Sequence, residues 1–424
     1  MQVGDKLRQL RIYKGLSQAE LAEGICSTAY LSKVENCKTS PSSNFIEKIT
    51  KKLEVEPSVF STDKSIYYTK LIHQLEGKVK QQEELNEKDV STLYLALYET
   101  LSMDLHVKVF NLLMRYYIKN KYHSEAQKLY ELCEKMLPME TELIVEDAHD
   151  IFSFYNLLGN YFYMQQQFHS ADYYYTKAKD SGVKSKLELA KTYYNLSLTK
   201  QRIFDDMHIS LIYAKQAYDL FDQEEAHSEI INVLISMIVQ YIYNQNFEAA
   251  SHALQAAYDK LEQKPEERNT STIFMLEYYN GRLHEVMGNE EAALQKYIEL
   301  TEAKEEHTSA SLVYVYQSMV DIYFNQKQWV KVQTYCNKAM LLAEKYQLNY
   351  IYIQLIEVRA KLLLIRQDET GYMKEMKKAL TLAREASLGK LVKEIAQTLG
   401  DYYMEQRFYK KASEYYKEAL QAPK

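Results

Sequence analysis

Apolar residues recur along most of the chain at the three- and four-residue spacing of amphipathic helices, and these helices recur in pairs. The register is set by one packing position in the second helix of each pair: Ala126, Ala171, Ser210, Ala250, Ala293, Val332, Tyr372 and Ala412. Successive members lie 39 to 45 residues apart. Because a single helix pair cannot bury its apolar face alone, stacked pairs share one continuous core. The spacing therefore predicts an all-α body of about eight stacked helix pairs over residues 108–424.

Two of these pairs carry the same set of small and aromatic residues at the same spacing. The last pair contains Leu399, Gly400, Tyr403, Ala412, Tyr416 and Ala419, and an earlier pair contains Leu158, Gly159, Phe162, Ala171, Tyr175 and Ala178. These residues resemble the tetratricopeptide signature, although the pair over 353–385 matches it poorly. The period near 40 exceeds the usual 34, so we expect each helix to be longer by roughly a turn. The resemblance implies a right-handed superhelix whose concave wall is built from the first helices.

The first sixty residues have a different pattern, with five short helical segments separated by capping residues. The segment Val3–Lys14 ends at Gly15, which has the residue type favoured just after a helix. Ser17 and Glu20 form a capping box for the second segment, and Ser27 caps the third, Thr28–Glu35. A fourth segment opens at residues 41–42, and a short fifth follows residue 57. Two short helices joined by a tight turn inside such a unit predict a helix-turn-helix.

The string LRQLRIYKGLSQAELAEGICSTAYLSKVEN, residues 7–36, closely resembles the Cro/C1 repressor family. The resemblance implies a five-helix DNA-binding domain over residues 1–60 whose third helix enters the major groove. The candidate DNA contacts are Arg11, Ser17, Gln18, Ser27, Thr28, Ala29, Ser32, Lys33 and Lys38. Of these, Arg11, Ser17 and Lys38 are expected at phosphates, while small or polar residues of the third helix face the bases. A helix-turn-helix kept only as a protein-binding scaffold is the alternative.

The head departs from the repressor pattern at two places. The turn before Ser27 looks one residue shorter than in phage repressors, so the base-reading register is expected to shift. Cys37 occupies the position after the recognition helix where the family usually has glycine. We expect Asn36 to adopt the left-handed conformation in its place. Residues 61–107 are then interpreted as a linker helix and an irregular helical pair, with a helix near Val90–Met103.

The first helices of three successive pairs carry asparagines that packing does not require. Asn111, Asn156 and Asn195 each lie 15 residues before the packing position of their pair, and Arg115, Asn160 and Thr199 lie one turn later. An asparagine amide offers a donor and an acceptor, so it can hold both groups of an extended peptide backbone. Arg115, Arg202 and Arg282 are candidates to pair with a peptide carboxylate. Solvated asparagines, or asparagines that join one repeat to the next, remain the alternative.

Composition narrows the class of protein. Only 11 glycines and 5 prolines occur, which favours long helices, and 39 tyrosines suit many thin, half-buried layers. Residues 1–64 hold ten Lys/Arg against eight Asp/Glu, while the remainder holds 42 against 50. This mildly basic head on an acidic body is typical of a small nucleic-acid-binding unit on a larger body.

Several kinds of site and segment have no signal in the sequence. Four scattered cysteines without zinc spacing indicate reduced thiols in a cytoplasmic protein. No run of 18 apolar residues occurs, so we expect neither a membrane span nor export. No nucleotide-binding loop, nucleophile elbow or zinc-protease motif is present, so we expect no enzyme activity, no cofactor and no metal.

A repressor-type head joined to about eight long tetratricopeptide-like pairs resembles the RNPP family of quorum sensors, which comprises Rap, NprR, PlcR, PrgX and Rgg-like proteins. Length and repeat number are most similar to the NprR type. The resemblance implies a transcription regulator that forms homodimers or higher oligomers, binds inverted-repeat double-stranded DNA, and holds a short linear signalling peptide in its groove. Groove asparagines hold the peptide in the family, which supports Asn156 and Asn195 here. The alternative is a Rap-like protein that acts through its repeats on a sporulation response regulator.

Overall fold

The chain is all-helical wherever its structure is described. The computed structural model describes residues 3–55, 57–60, 64–137, 147–204, 207–264, 269–302, 310–386 and 388–422. These residues form 22 α-helices and one short 3-10 helix, with no strand, so the predicted all-α class is confirmed.

The head consists of four helices and a 3-10 turn, in the order that the capping residues predict. The helices are α1 (Val3–Tyr13), α2 (Gln18–Ala22), α3 (Thr28–Glu35) and α4 (Ser43–Leu53), and the 3-10 turn covers Pro57–Phe60. Ser17 and Glu20 form the capping box of α2, and the side chain of Ser27 accepts a hydrogen bond from the Tyr30 amide. Leu7, Leu21 and Leu31 from three of these helices are completely buried in one core.

The end of α3 corrects one expectation about the recognition helix. Cys37 itself adopts the left-handed conformation, with φ 55°, whereas Asn36 has φ −91°. The Cys37 amide donates to the Val34 carbonyl at 2.9 Å, and the Lys38 amide donates to the Lys33 carbonyl at 2.8 Å. This bonding is the Schellman motif, which requires positive φ at the residue following the C-cap. Since Asn36 is the C-cap, the left-handed residue is Cys37.

Two helices connect the head to the repeats, α5 (Lys64–Lys80) and α6 (Glu87–Ala96). The helix expected near Val90–Met103 is therefore two elements, because α6 ends at Ala96 and the next helix begins at Met103. The side chain of Ser102 accepts a hydrogen bond from the Leu105 amide at 3.4 Å, which caps that next helix. Residues 61–63, at the predicted boundary of the head, lie outside the described residues.

Eight helix pairs follow. They are α7 (Met103–Lys119) and α8 (His123–Met136), α9 (Ala148–Met164) and α10 (Phe168–Asp180), α11 (Lys186–Ile203) and α12 (His208–Gln223), α13 (His227–Tyr243) and α14 (Phe247–Gln263), α15 (Thr270–Val286) and α16 (Glu290–Glu302), α17 (Leu312–Asn325) and α18 (Trp329–Lys345), α19 (Asn349–Ile365) and α20 (Glu369–Glu385), and α21 (Gly389–Glu405) and α22 (Tyr409–Gln421). The pair over 353–385, which the sequence pattern describes poorly, is as regular as the others.

The predicted register of the repeats matches the burial of the chain. All eight packing positions of the second helices are buried, and none exposes more than 4% of its surface. Where the first helix has glycine, the tyrosine four residues after the packing position fills the space above it. A Cβ on Gly159 would lie 2.5 Å from the ring of Tyr175, and a Cβ on Gly281 would lie 2.5 Å from the ring of Tyr297. These glycines therefore allow the two helices of a pair to approach closely.

The chain divides into two compact units, Met1–Ala226 and His227–Lys424. The first unit contains the head, α5, α6 and the first three pairs, and the second contains the remaining five pairs. The finer division into residues 1–60, 61–107 and 108–424 stays a prediction.

Within the first unit, the head is docked on the helices that follow it. The ring of Tyr13 stacks on that of Tyr94 with centroids 4.0 Å apart, and its hydroxyl lies 2.9 Å from that of Tyr117. The Lys6 side chain is fully buried, and its Nζ lies 2.7 Å from Oε1 of Glu99, whose side chain is 3% exposed. Lys6 also donates to the Val59 carbonyl oxygen. A buried ion pair, a tyrosine stack and a hydrogen bond between two tyrosines therefore join the head to α6, to the segment just after it and to α7.

Candidate functional sites

The outer surface of α3 presents most of the candidate base-reading residues. Thr28, Ala29 and Lys33 are exposed, while Leu31 and Val34 on the opposite side are buried. Among the residues that the structure describes, no hydrogen bond or ion pair engages the side chain of Thr28 or Lys33. This face is therefore available to another molecule.

Arg11 and Gln18 are engaged inside the head. The Arg11 guanidinium donates to both carboxylate oxygens of Glu35, at 2.6 and 3.0 Å, and to the Leu16 carbonyl at 2.8 Å. The Gln18 amide donates to the same carboxylate at 2.7 Å. The hydrogen bonds that Arg11 donates to Glu35, which is 2% exposed, raise the pKa of Arg11 against the opposing effect of burial. Arg11, interpreted as an exposed phosphate contact, instead ties α1 to α3, and its role on DNA stays a prediction.

The other candidate DNA residues cap helices or lie in solvent. Ser17 and Ser27 accept hydrogen bonds from the amides of Glu20 and Tyr30, each at 3.2 Å. Ser32 is half-buried, and Lys38 is exposed just beyond the end of α3. Capping uses the hydroxyl oxygen as an acceptor and leaves its proton available to a phosphate oxygen.

The three candidate asparagines, Asn111, Asn156 and Asn195, lie in the first unit, and two of them have an acceptor oxygen without a partner among the described residues. Asn111 donates to the backbone carbonyl of Asp150 in the next pair at 3.0 Å, so it joins two repeats. Its carbonyl oxygen Oδ1 is buried and has no hydrogen-bond partner among the described residues. Oδ1 of Asn156, at the equivalent position of the next pair, has none there either. Buried acceptors without partners are uncommon in folded proteins. These two oxygens can therefore accept hydrogen bonds from a bound molecule.

One turn further along this face, some of the polar side chains form hydrogen bonds within the protein. The Tyr175 hydroxyl donates to Asn160 Oδ1 at 2.7 Å, and the Asn195 amide lies 3.4 Å from the same oxygen. Thr199, expected on the open face, is buried and donates to the Asn195 carbonyl at 2.7 Å. Asn160 and Asn195 thus form an inter-repeat link, as the alternative interpretation allowed. The concavity of the face stays a prediction.

The three candidate arginines occupy different surroundings. Arg115 is exposed, yet desolvation by the protein around it lowers its pKa, against an opposing effect from Glu188 on α11. Arg202 is exposed in the last turn of α11. Arg282 lies in the second unit, where its Nη1 is 2.6 Å from Glu285 Oε1. Arg115 is therefore the arginine that lies one turn from Asn111, whose Oδ1 has no partner in the described ranges.

Two other kinds of site are absent from the described ranges. They contain no group of three or more His, Cys, Asp and Glu side chains that could hold a metal ion. None of their helices is both long enough and apolar enough to cross a membrane.

Sequence reasoning missed the groups that join the head to the repeats. Lys6 and Glu99 carry no pattern signal, because a charged residue in an amphipathic helix is normally taken as solvated. The high tyrosine content indicated half-buried layers in general, but not the stack of Tyr13 on Tyr94.

Comparison with known proteins finds a family that matches the head and solved structures with a similar fold. The helix-turn-helix family HTH_3 matches residues 7–60. The fold is similar to that of RapI in its apo form, with 18% identity, a TM-score of 0.55, and coverage of 84% of this chain and 97% of that one. It is also similar to the apo form of the quorum sensor NprR from B. thuringiensis, with 16% identity, a TM-score of 0.56, and coverage of 84% and 97%. NprR in complex with its cognate peptide NprX matches with 14% identity, a TM-score of 0.55, and coverage of 84% and 96%.

No curated protein matches the chain. Because the identities to the solved structures are low, these matches establish the fold of the helical repeats and nothing further. A helix-turn-helix head followed by Rap- and NprR-like helical pairs is the architecture that the resemblance to the RNPP family predicted, and the resemblance is confirmed at that level.

Proposed function

We propose that the chain is a peptide-responsive transcription regulator. Its head binds inverted-repeat DNA as a homodimer or higher oligomer, and the asparagine-bearing first helices bind a short linear peptide. The observation that carries the peptide part is the pair of buried oxygens on Asn111 and Asn156 that accept no hydrogen bond from the part of the chain that the structure describes. The similarity to NprR, which was solved in complex with a peptide, supports it.

The proposal for DNA rests on the open face of α3. A small head with little net charge makes few phosphate contacts, so a single head binds weakly. Two heads related by a two-fold axis read two half-sites, which favours an inverted repeat. Thr28 and Lys33 are the side chains on this face that can hydrogen-bond to base edges.

Selection of bound sequences from a random DNA library tests this part. We expect an inverted repeat to emerge and its binding to fall steeply with salt. Thr28→Ala and Lys33→Ala should weaken specific binding more than binding to random DNA. Lys51→Ala is the matched control, since Lys51 is an exposed lysine of α4 that pairs only with Glu47 at 3.1 Å in the described part of the chain. Equal losses on specific and random DNA would refute base reading by α3.

The proposal for the peptide rests on hydrogen-bond geometry along the repeats. Neighbouring repeats are spaced by roughly one helix diameter, about 10 Å, and an extended peptide advances about 3.3 Å per residue. Asn111 and Asn156 therefore meet amides about three residues apart. Each asparagine oxygen would accept one N–H, which holds the backbone without reading its sequence. Arg115, one turn from Asn111, would pair with a carboxylate of the same peptide.

Capture of peptides from the culture medium by the immobilised chain, followed by mass spectrometry, identifies the ligand. Calorimetric titration of that peptide then compares variants. We expect Asn156→Ala to weaken binding at least about tenfold, since a lost hydrogen bond in a buried site costs roughly 1–3 kcal/mol. Its melting temperature should scarcely change. Asn337→Ala, at an exposed asparagine of α18, is the control. Undiminished affinity in Asn156→Ala would show that the peptide lies elsewhere.

A further inference from the structure

A cavity of about 260 Å³ lies where the head meets the repeats inside the first unit. Four tyrosines dominate its lining: Tyr13 at the end of α1, Tyr116 and Tyr117 on α7, and Tyr122 just before α8. An engineered cavity of about 150 Å³ holds one benzene molecule. The junction cavity is therefore large enough for a small organic molecule somewhat larger than benzene.

The tyrosine rings are set at steep angles to one another. The centroids of Tyr116 and Tyr117 are 5.8 Å apart with the ring planes at 67°, and those of Tyr116 and Tyr122 are 5.9 Å apart at 49°. The faces of aromatic rings carry partial negative charge, so rings turned in different directions surround a cation well. Tyr122 is also 45% exposed, so a molecule from solvent can reach its ring.

Two carboxylates, Glu87 and Glu125, line the same cavity. Burial raises the pKa of the Tyr13 and Tyr117 hydroxyls, and the charge of Glu125 adds to the effect on both. Glu87 likewise contributes to the raised pKa of Tyr13 and Tyr116. Both carboxylates therefore act on the space between the rings and make its potential negative.

The positive charge nearest the cavity is already engaged. Lys14 is the one cation among the described lining residues, and its Nζ lies 3.2 Å from Glu54 and 3.5 Å from Glu87. Glu125 has no such partner among the described side chains.

Elsewhere in the repeats, tyrosines are commonly covered by a lysine of the same chain. Lys331 lies 4.7 Å from the ring centre of Tyr323, and Lys411 lies 5.2 Å from that of Tyr403. In the part of the chain that the structure describes, no lysine covers the rings of Tyr116, Tyr117 or Tyr122 in this way. The junction cavity thus combines tyrosine rings that no lysine covers with one carboxylate, Glu125, that has no ion-pair partner among the described side chains.

We infer that the junction cavity binds a small organic cation, an alkylammonium group held among Tyr116, Tyr117 and Tyr122 and neutralised by Glu125. Phenol and carboxylate oxygens accept hydrogen bonds, so a primary ammonium, which has three donors, suits the site better than a quaternary one. The bound group contacts Tyr13 of the head and the tyrosines of the first pair together. Its binding therefore stabilises the docked position of the head, which adds a second ligand to the proposed regulator.

Calorimetric titration of the full chain at low salt tests the inference. The probes are 1,4-diaminobutane and N-acetyl-lysine amide, because the same ammonium chemistry occurs in a free amine and in a lysine side chain of a polypeptide. We expect saturable one-to-one binding of at least one probe, and the one that binds more tightly identifies the source. Tetramethylammonium should bind more weakly than either.

Variants locate the site. Glu125→Gln and Tyr122→Leu should each weaken binding of the better probe at least tenfold, with circular dichroism confirming that both variants are folded. Glu131→Gln is the matched control, since it removes an exposed carboxylate of the same helix outside the cavity. No binding at millimolar probe would overturn the inference, as would equal losses in Glu125→Gln and Glu131→Gln. Neither peptide nor DNA is present, so failure here leaves the proposed function standing.

Discussion

Glu99→Ala removes the carboxylate that neutralises Lys6 at the junction of head and repeats. The Lys6 side chain is completely buried, and Glu99 Oε1 lies 2.7 Å from its ammonium nitrogen. Breaking a buried ion pair from one side costs about 3–5 kcal/mol, because the remaining charge stays desolvated. The pair joins α1 to the segment just after α6, so the cost falls on the docking of the head. Hydrogen exchange of the α1 amides should therefore accelerate roughly a hundredfold or more.

Mass spectrometry of hydrogen exchange in the full chain measures this locally. The double variant Lys6→Met with Glu99→Leu should recover most of the protection, since apolar replacements of a buried ion pair are often neutral or stabilising. Lys14→Ala is the control. It breaks partly exposed pairs with Glu54 and Glu87, for which less than about 1 kcal/mol is expected. If Glu99→Ala changed α1 no more than Lys14→Ala, or if the double variant were as labile as the single one, the buried charge pair would not hold the head.

Three further predictions concern packing, backbone strain and pH. Gly159→Ala should destabilise the first unit by about 1–3 kcal/mol in denaturant unfolding, because its Cβ would clash with the Tyr175 ring. An unchanged free energy of unfolding would refute close packing of the two helices at this position. Cys37→Gly should increase the free energy of unfolding by up to about 1 kcal/mol, because glycine adopts the positive φ of this position without strain, and the melting temperature should rise. Burial raises the pKa of Glu357 to about 7, against the opposing charge of Lys361. The unfolded chain ionises this carboxyl first, so its contribution to stability falls as pH rises from about 4.5 to 7. Glu357→Gln should therefore stabilise the chain at pH 8 by about 1 kcal/mol and leave it unchanged at pH 4, as measured by thermal unfolding.

The helical repeats could be predicted from the sequence because their signal is local and periodic. The small or apolar residue that recurs every 39 to 45 positions is buried in all eight pairs, including the pair at Tyr372, where the other signature residues are absent. The first residues of the helices in the head could also be predicted from the sequence. A serine that caps a helix bonds to an amide only three residues away, as Ser17 and Ser27 do. Such features depend on neighbouring residues alone.

The side-chain partners were decided by the tertiary structure. Arg11 looked exposed on an amphipathic helix, yet it bonds to Glu35, which is 24 residues away. Asn111 was interpreted as a peptide contact, with a link between repeats as the alternative, and its amide donates to a backbone carbonyl 39 residues away in the next pair. Periodicity shows which side of a helix turns inward, whereas a hydrogen bond or ion pair also requires the partner's position, which only the packing of distant helices sets. For the same reason the burial of Lys6 could not be predicted, since a lysine in α1 is inside the protein only because the head is docked on the repeats.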